Sequence, residues 1–144
     1  MPEFTTSVVI ERPVQEVWDF LNDIRNRDKW NKEVVGTTYD GVLREGATGT
    51  DTMAMGGRQI RMDWRVTRFE PPHRLEMAYG PPTNAVADFT FEEMGGGTRL
   101  SCHTILRPSG WMRFLSPFLA GEGRKADEVQ FAKVKAFLEG GGQG

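Results

Sequence analysis

Residues 8–30 read VVIERPVQEVWDFLNDIRNRDKW, and this stretch decides the fold. Residues 4–10 are rich in β-branched side chains and predict a first strand. Pro13 suits the first turn of a helix, where its missing N–H is not needed. Apolar residues then recur with the spacing of one helix face, at Val14, Val17, Trp18 and Leu21. A second short helix is predicted over about residues 26–31 and carries Trp30.

From Glu33 onward, the apolar pattern changes from a helical period to a period of two. The clearest alternation is Ile60, Met62, Trp64 and Val66, with polar residues between them. Such alternation is typical of an antiparallel sheet that buries one face. Strands are predicted near residues 33–40, 47–55, 58–69, 73–79, 84–93 and 97–107. The glycines at 56–57 and 95–97 predict hairpin turns between them.

The last block, residues 111–139, returns to a helical pattern. Pro117, Gly121 and Gly123 interrupt its apolar stripe, and proline inside a helix kinks or ends it. We therefore expect an irregular first part and a regular helix from about Glu122. Because no repeat or linker divides the chain, we predict one domain over residues 1–139 and a flexible glycine-rich tail over residues 140–144.

Three segments together resemble a known superfamily. They are VVIERPVQEVWDFLNDIRNRDKW at 8–30, TRFEPPHRLEM at 67–77 and FTFEEMGGGTRLSCHT at 89–104. The chain is similar to the START-related SRPBCC superfamily, which includes the polyketide cyclase/dehydrase and lipid transport family. The resemblance implies an α+β helix-grip fold: a curved antiparallel sheet of about seven strands around a long C-terminal helix, with two short helices after strand 1. It also implies an internal cavity, which in such proteins often binds lipids, hormones or aromatic polyketides.

Composition excludes several classes of function. The net charge of −2 lacks the basic excess that nucleic acid attracts, so no nucleic-acid partner is expected. Cys102 is the single cysteine, so no internal disulfide forms and no cysteine-based metal site is predicted. No stretch approaches the roughly 20 apolar residues of a membrane helix, and no stable membrane insertion is expected. We expect a cytoplasmic protein that needs no cofactor, for which a homodimer is one possible state.

Alternation assigns a set of side chains to the inner face of the sheet, and these are the predicted ligand-binding residues. They are Met62, Trp64, Val66, Met77, Tyr79, Phe89, Phe91, Cys102 and Thr104. Trp111, Phe114 and Phe118 lie beside the flexible glycines of the last block and are predicted to form a lid over the cavity. The competing interpretation is that the first group fills a solid core and the second belongs to a kinked helix.

Catalytic chemistry has few candidates. His103 alternates with Cys102 and Thr104 and is expected on the outer face. Burial should raise the pKa of Cys102 and make it inert. Tyr79 is the one catalytic candidate, since no nucleophile, base and orienting group share a supporting spacing.

The predicted function is the binding of a small hydrophobic or aromatic ligand, lipid-like or polyketide-like. Two alternatives stay open at this point. One is a polyketide cyclase or aromatase that uses the same cavity, and the other is a protein-interaction or chaperone-regulator module. The last of these predicts a nearly filled interior and an exposed apolar patch.

Overall fold

The computed structural model describes residues 2–55 and 57–140. The strands are β1 (Glu3–Ile10), β2 (Val34–Thr37), β3 (Thr48–Met55), β4 (Arg58–Glu70), β5 (Arg74–Tyr79), β6 (Val86–Met94) and β7 (Gly97–Ile105). The α-helices are α1 (Val14–Leu21) and α2 (Ser116–Glu139). A first 3₁₀ helix spans Ile24–Lys29 and a second spans Gly110–Leu115.

All seven strands pair antiparallel in one sheet with the order β1-β7-β6-β5-β4-β3-β2. The sheet is curved and the long helix α2 lies against it, which confirms the predicted α+β helix-grip fold. Helix α2 packs chiefly on the edge strand β1. Its buried side chains are Phe131, Val134 and Leu138. None of the helices in the described residues is long and apolar enough to cross a bilayer.

Helix α1 closes one end of the sheet with the predicted apolar face. Val17, Trp18 and Leu21 are buried, and the Trp18 ring meets Phe91 edge-on at a centroid distance of 5.0 Å. The second short helix begins earlier than predicted and is a 3₁₀ helix. Asp23 explains the earlier start, because its side chain accepts a hydrogen bond from the Arg25 N–H at 3.0 Å and caps a helix that begins at Ile24, two residues before the predicted start.

The long helix also begins earlier than predicted, at Ser116 instead of about Glu122. Pro117 lies in its first turn, where no N–H is required, so it does not break the helix. Gly123 lies inside α2 against Phe4 of β1. A Cβ added at Gly123 would come within 2.6 Å of the Phe4 ring, so glycine allows the helix to approach this strand closely.

The glycine turns agree with the hairpins predicted from the sequence. Gly95 and Gly96 connect β6 to β7 with φ values of 57° and 95°, which favour glycine. Gly57 adopts φ 79° before β4, while Gly56 lies outside the described residues. Gly140 ends α2, and residues 141–144 of the predicted tail also lie outside the described residues.

Gly49 provides a test of the packing between β3 and β4. It pairs with Trp64, and an added Cβ would lie 2.5 Å from Cζ2 of that buried ring. Because Trp64 is 2% exposed and its indole N–H is hydrogen-bonded, the ring has no room to move. We expect Gly49→Ala to lower the free energy of unfolding by about 1–3 kcal/mol in urea denaturation.

Gly36→Ala is the matched control for that substitution. Gly36 also lies in a strand, and nothing is within 4 Å of its added Cβ. Its effect should stay within about 0.5 kcal/mol. Equal effects of the two variants would contradict the close contact with Trp64.

Candidate functional site

A cavity of about 200 Å³ lies between the inner face of the sheet and α2. Most of its wall is apolar. Side chains from β4 to β6 and from α2 supply that surface, among them Met62, Leu75, Met77, Phe89, Phe91 and Phe131. Antiparallel pairing brings them together because alternate residues of each strand point to the same face. The interior is therefore not a solid core.

Seven of the predicted ligand-binding residues lie in this wall. They are Met62, Met77, Tyr79, Phe89, Phe91, Cys102 and Thr104. Trp64 and Val66 are buried on β4 but do not line the cavity. Trp64 instead packs beside Tyr39, with ring centroids 5.5 Å apart.

The three residues of the predicted lid lie outside the cavity wall. Trp111, Phe114 and Phe118 are 44%, 85% and 68% exposed. The Arg58 guanidinium lies over the Trp111 ring, 5.4 Å from its centroid. The structure thus places them together on the surface around the second 3₁₀ helix and the start of α2, and their role as a lid stays a prediction.

A buried ion pair forms part of the cavity wall. Arg27 Nη1 donates to Asp51 Oδ2 at 2.9 Å, and these side chains are 10% and 1% exposed. Trp64 Nε1 donates to the other oxygen, Asp51 Oδ1, also at 2.9 Å. Both carboxylate oxygens of Asp51 therefore have a strong donor, which is what a charge needs if it is to remain buried.

Partly exposed polar side chains lie where the cavity wall reaches the surface, and we call this region the mouth. It consists of Asn31, Glu33, Asp127 and Gln130. Gln130 Nε2 donates to Asn31 Oδ1 at 3.3 Å and to Glu33 Oε1 at 3.4 Å, which connects α2 to the segment before β2.

The two acids of the mouth have raised pKa values. Burial raises the pKa of Asp127 to about 7, and the neighbouring charge of Glu33 contributes to the increase. Burial also raises the pKa of Glu33, against a smaller opposing effect of the hydrogen bond from Gln130. An acid with a pKa near 7 can both give and take a proton at neutral pH.

Two further titratable groups of the wall, Tyr79 and Cys102, are kept neutral. Burial raises the pKa of Tyr79 to about 12, so its hydroxyl keeps its proton and can donate a hydrogen bond. Burial likewise raises the pKa of the Cys102 thiol, whose Sγ lies 3.5 Å from Thr104 Oγ1. Cys102 is thus a neutral thiol in an apolar wall, as expected.

His103 lies on the opposite face of β7, where its Nδ1 is 2.8 Å from Thr5 Oγ1. It does not line the cavity. Among residues 2–55 and 57–140, no three His, Cys, Asp or Glu side chains are arranged to hold a metal ion.

Sequence reasoning missed Arg27, Trp30, Asp51 and Asp127 as cavity residues. A signal existed for Asp51, because it pairs with the inward-facing Met62 in the β3–β4 register and shares its face. Arg27 lies in the first 3₁₀ helix and Trp30 directly follows it. The sequence of this short polar helix does not indicate which of its side chains face the cavity. Asp127 lies among other charged residues of α2. It differs from them in lining the cavity, which the sequence does not indicate.

A curved sheet, a long helix and an apolar cavity between them define a helix-grip protein with an internal cavity. The chain belongs to the polyketide cyclase/dehydrase and lipid transport family, whose model matches residues 1–139. A comparison with curated proteins finds no match.

Solved structures share the fold at low sequence identity. The chain is similar to TTHA0849 from Thermus thermophilus, with 16% identity, a TM-score of 0.80, and coverage of 99% of this chain and 100% of that one. It is similar to Ms6760 from Mycobacterium smegmatis, with 21% identity, a TM-score of 0.72, and coverage of 97% and 92%.

A third structure is DynU16, described as a putative protein in the dynemicin biosynthetic locus. It is 19% identical with a TM-score of 0.68, and the match covers 98% of this chain and 48% of DynU16. The chain therefore spans about half the length of that protein.

The raised pKa of Asp127 predicts how stability changes with pH. Between the ordinary value of 3.8 and about 7, the folded protein holds a proton on Asp127 that the unfolded chain has lost. The free energy of unfolding contributed by this group therefore falls as pH rises through that range. We expect Asp127→Asn to remove this part of the pH dependence and to stabilise the protein relative to wild type above pH 7.

Denaturation with urea across this pH range measures the effect. Glu128→Gln is the control, since Glu128 is the exposed neighbour on the same helix and does not line the cavity. If the free energy of unfolding of Asp127→Asn falls with pH as steeply as that of wild type, Asp127 is not the titrating group.

Proposed function

We propose that the protein binds a small, mostly apolar or aromatic ligand in the cavity beneath α2. The observation that carries this proposal is a cavity of about 200 Å³ whose wall is apolar except for a few placed polar groups. Ligand sites commonly have this composition. An engineered apolar cavity of about 150 Å³ in another protein binds benzene, so this one has room for a ligand of at least one aromatic ring.

Two further observations support the proposal. The family to which the chain belongs has lipid transport in its description. The interior is also unlike that expected of a protein-interaction module, which would be nearly filled. The exposed aromatic residues near the second 3₁₀ helix are compatible with either function, so they do not decide between them.

Naphthalene, a neutral apolar molecule, can test the proposal with a matched pair of variants. Ala126 of α2 lines the cavity, while Ala132 of the same helix is exposed and does not. Leucine has nearly the same helix propensity as alanine, so both substitutions preserve the helix. At a hundred times its dissociation constant, naphthalene should raise the free energy of unfolding of wild type by about 2.7 kcal/mol.

We expect Ala126→Leu to abolish that stabilisation by filling the cavity, and Ala132→Leu to leave it unchanged. Thermal and urea denaturation with and without naphthalene measure both effects. The absence of any stabilisation of wild type by naphthalene, or by a wider set of lipids and aromatic compounds, would refute ligand binding in this cavity.

The second candidate function is proton-transfer catalysis on a bound carbonyl compound, as in a cyclase. The observation that favours it is Asp127, a cavity residue whose pKa of about 7 suits a general acid or base. Its carboxylate would take a proton from the carbon next to a ketone, and the neutral Tyr79 hydroxyl would donate to the resulting enolate oxygen. Asp127, at the mouth, would then lose that proton to solvent, take up another and return it to carbon, which regenerates the ketone with a solvent-derived hydrogen.

Deuterium exchange tests this second candidate without knowledge of the natural substrate. We expect wild type to speed the exchange of the methyl protons of 2-acetylnaphthalene in heavy water, as followed by NMR. Asp127→Asn should lower the rate by roughly a hundredfold or more, the usual contribution of a general base. If the protein does not speed the exchange beyond the rate in buffer alone, the proton-transfer function is refuted and ligand binding is the function that stays proposed.

A further inference from the structure

The cavity wall contains hydrogen-bond donors that lack a good acceptor among the described residues. Three donor side chains line it: Arg27, Trp30 and Tyr79. We call them the donor cluster. The Arg27 guanidinium has five N–H groups, and its side chain makes one hydrogen bond within the described residues, to Asp51.

Trp30 is the clearest case of an unsatisfied donor. The residue is 7% exposed, and its Nε1–H has no acceptor among the described residues. The Tyr79 hydroxyl also lacks a strong acceptor, since within the part of the chain that the structure describes it donates only to Met77 Sδ, at 4.0 Å. Thioether sulfur is a weak acceptor, so this contact is easily exchanged for a better one.

The members of the donor cluster are linked through neighbouring structure. Trp30 follows the first 3₁₀ helix, and its backbone N–H donates to the Arg27 carbonyl at 3.2 Å. Tyr79 pairs across strands with Trp64, which donates to the same Asp51 that binds Arg27. Within the described residues Asp51 accepts from Arg27 and Trp64 but from neither Trp30 nor the Tyr79 hydroxyl.

Buried donors without an acceptor are rare in native proteins, because desolvation is then not compensated. A guest in the cavity can supply the missing acceptor. Its charge can be inferred from the wall: the charge of Arg27 is offset by Asp51, and the mouth adds two acids, Glu33 and Asp127. A carboxylate would bring a further negative group into this environment, whereas a neutral oxygen would not.

We propose that Arg27, Trp30 and Tyr79 form a subsite for a neutral carbonyl oxygen of the ligand, such as that of a ketone or an ester. This inference rests on the ligand-binding function proposed above and specifies the chemical class of its ligand. The apolar wall holds the body of the ligand, and the donor cluster fixes its orientation by binding the carbonyl oxygen.

A pair of isosteric probes tests the subsite. 2-Acetylnaphthalene and 2-isopropenylnaphthalene have the same shape and differ in carrying C=O or C=CH₂. We expect wild type to bind the ketone at least about tenfold more tightly, the effect of one or two hydrogen bonds, as measured by calorimetry. 2-Naphthoate at neutral pH should bind more weakly than the ketone.

Two conservative variants locate the discrimination. Trp30→Phe and Tyr79→Phe each remove a donor and keep an aromatic ring, so each should lower the preference for the ketone several-fold and leave affinity for the alkene nearly unchanged. Tyr39→Phe is the control: Tyr39 donates to the Val42 carbonyl at 2.7 Å and does not line the cavity. The Tyr39→Phe variant should prefer the ketone over the alkene as strongly as wild type does. Circular dichroism establishes that each variant is folded.

The outcomes separate this inference from the proposed function. Equal binding of ketone and alkene to wild type overturns the carbonyl subsite but leaves the cavity a ligand site. A preference that survives in the Trp30→Phe, Tyr79→Phe double variant also overturns it. Tighter binding of 2-naphthoate than of the ketone overturns the choice of a neutral group. Failure of both neutral probes to bind overturns the subsite, and it refutes the ligand-binding function as well when naphthalene and the wider set of compounds also fail to stabilise wild type.

Discussion

The attachment of α2 to one edge of the sheet is the constraint on which the rest of the structure depends. The helix packs on β1, and Gly123 lets it approach Phe4 closely. Its last turns are held there by Lys135 Nζ, which donates to the Val9 carbonyl at 2.7 Å, and by Glu139, which accepts from the Glu11 N–H at 2.8 Å. Because β1 is an edge strand of the seven-stranded sheet, the helix backbone lies to one side, and the cavity occupies the space between α2 and the inner face of the sheet.

A buried ion pair between Arg27 and Asp51 holds together another part of the cavity wall. It joins the first 3₁₀ helix to β3, so it holds Trp30 near the sheet as well as Arg27 itself. A buried ion pair of this kind adds little net stability compared with apolar side chains, because desolvation offsets the attraction between the charges. Its contribution here is positional: it fixes a polar wall beside an apolar one.

The sheet was predictable from sequence because its inner face is encoded by local alternation. The alternation of apolar and polar residues along β4 and β5 is enough to assign Met62 and Met77 to that face, and both line the cavity. The cavity residues that were missed depend on contacts between distant segments. Arg27 and Asp51 are 24 positions apart, and neither has a local pattern that predicts the other.

The long helix shows the same limit in a different way. Gly121 and Gly123 reduce helix propensity, and propensity alone predicts a late start. Tertiary contact with β1 overrides it, since a glycine at position 123 is what the close approach to Phe4 requires. Trp111 and Phe114 look equally suited to a core or a surface, and only the position of the second 3₁₀ helix decides that they are exposed.

The polar groups of the cavity differ in how deeply they are buried, and this difference bears on how the proposed ligand would enter. Asp51 and Arg27 are almost fully buried, whereas Glu33 and Asp127 are partly exposed at the mouth. A protonated Asp127 leaves the mouth with less charge and so lowers the cost of passing an apolar molecule beneath α2. Ionised Asp127 attracts water to the same place. Because its pKa is about 7, both states exist at neutral pH, and Asp127 contributes a charge to the mouth in only one of them.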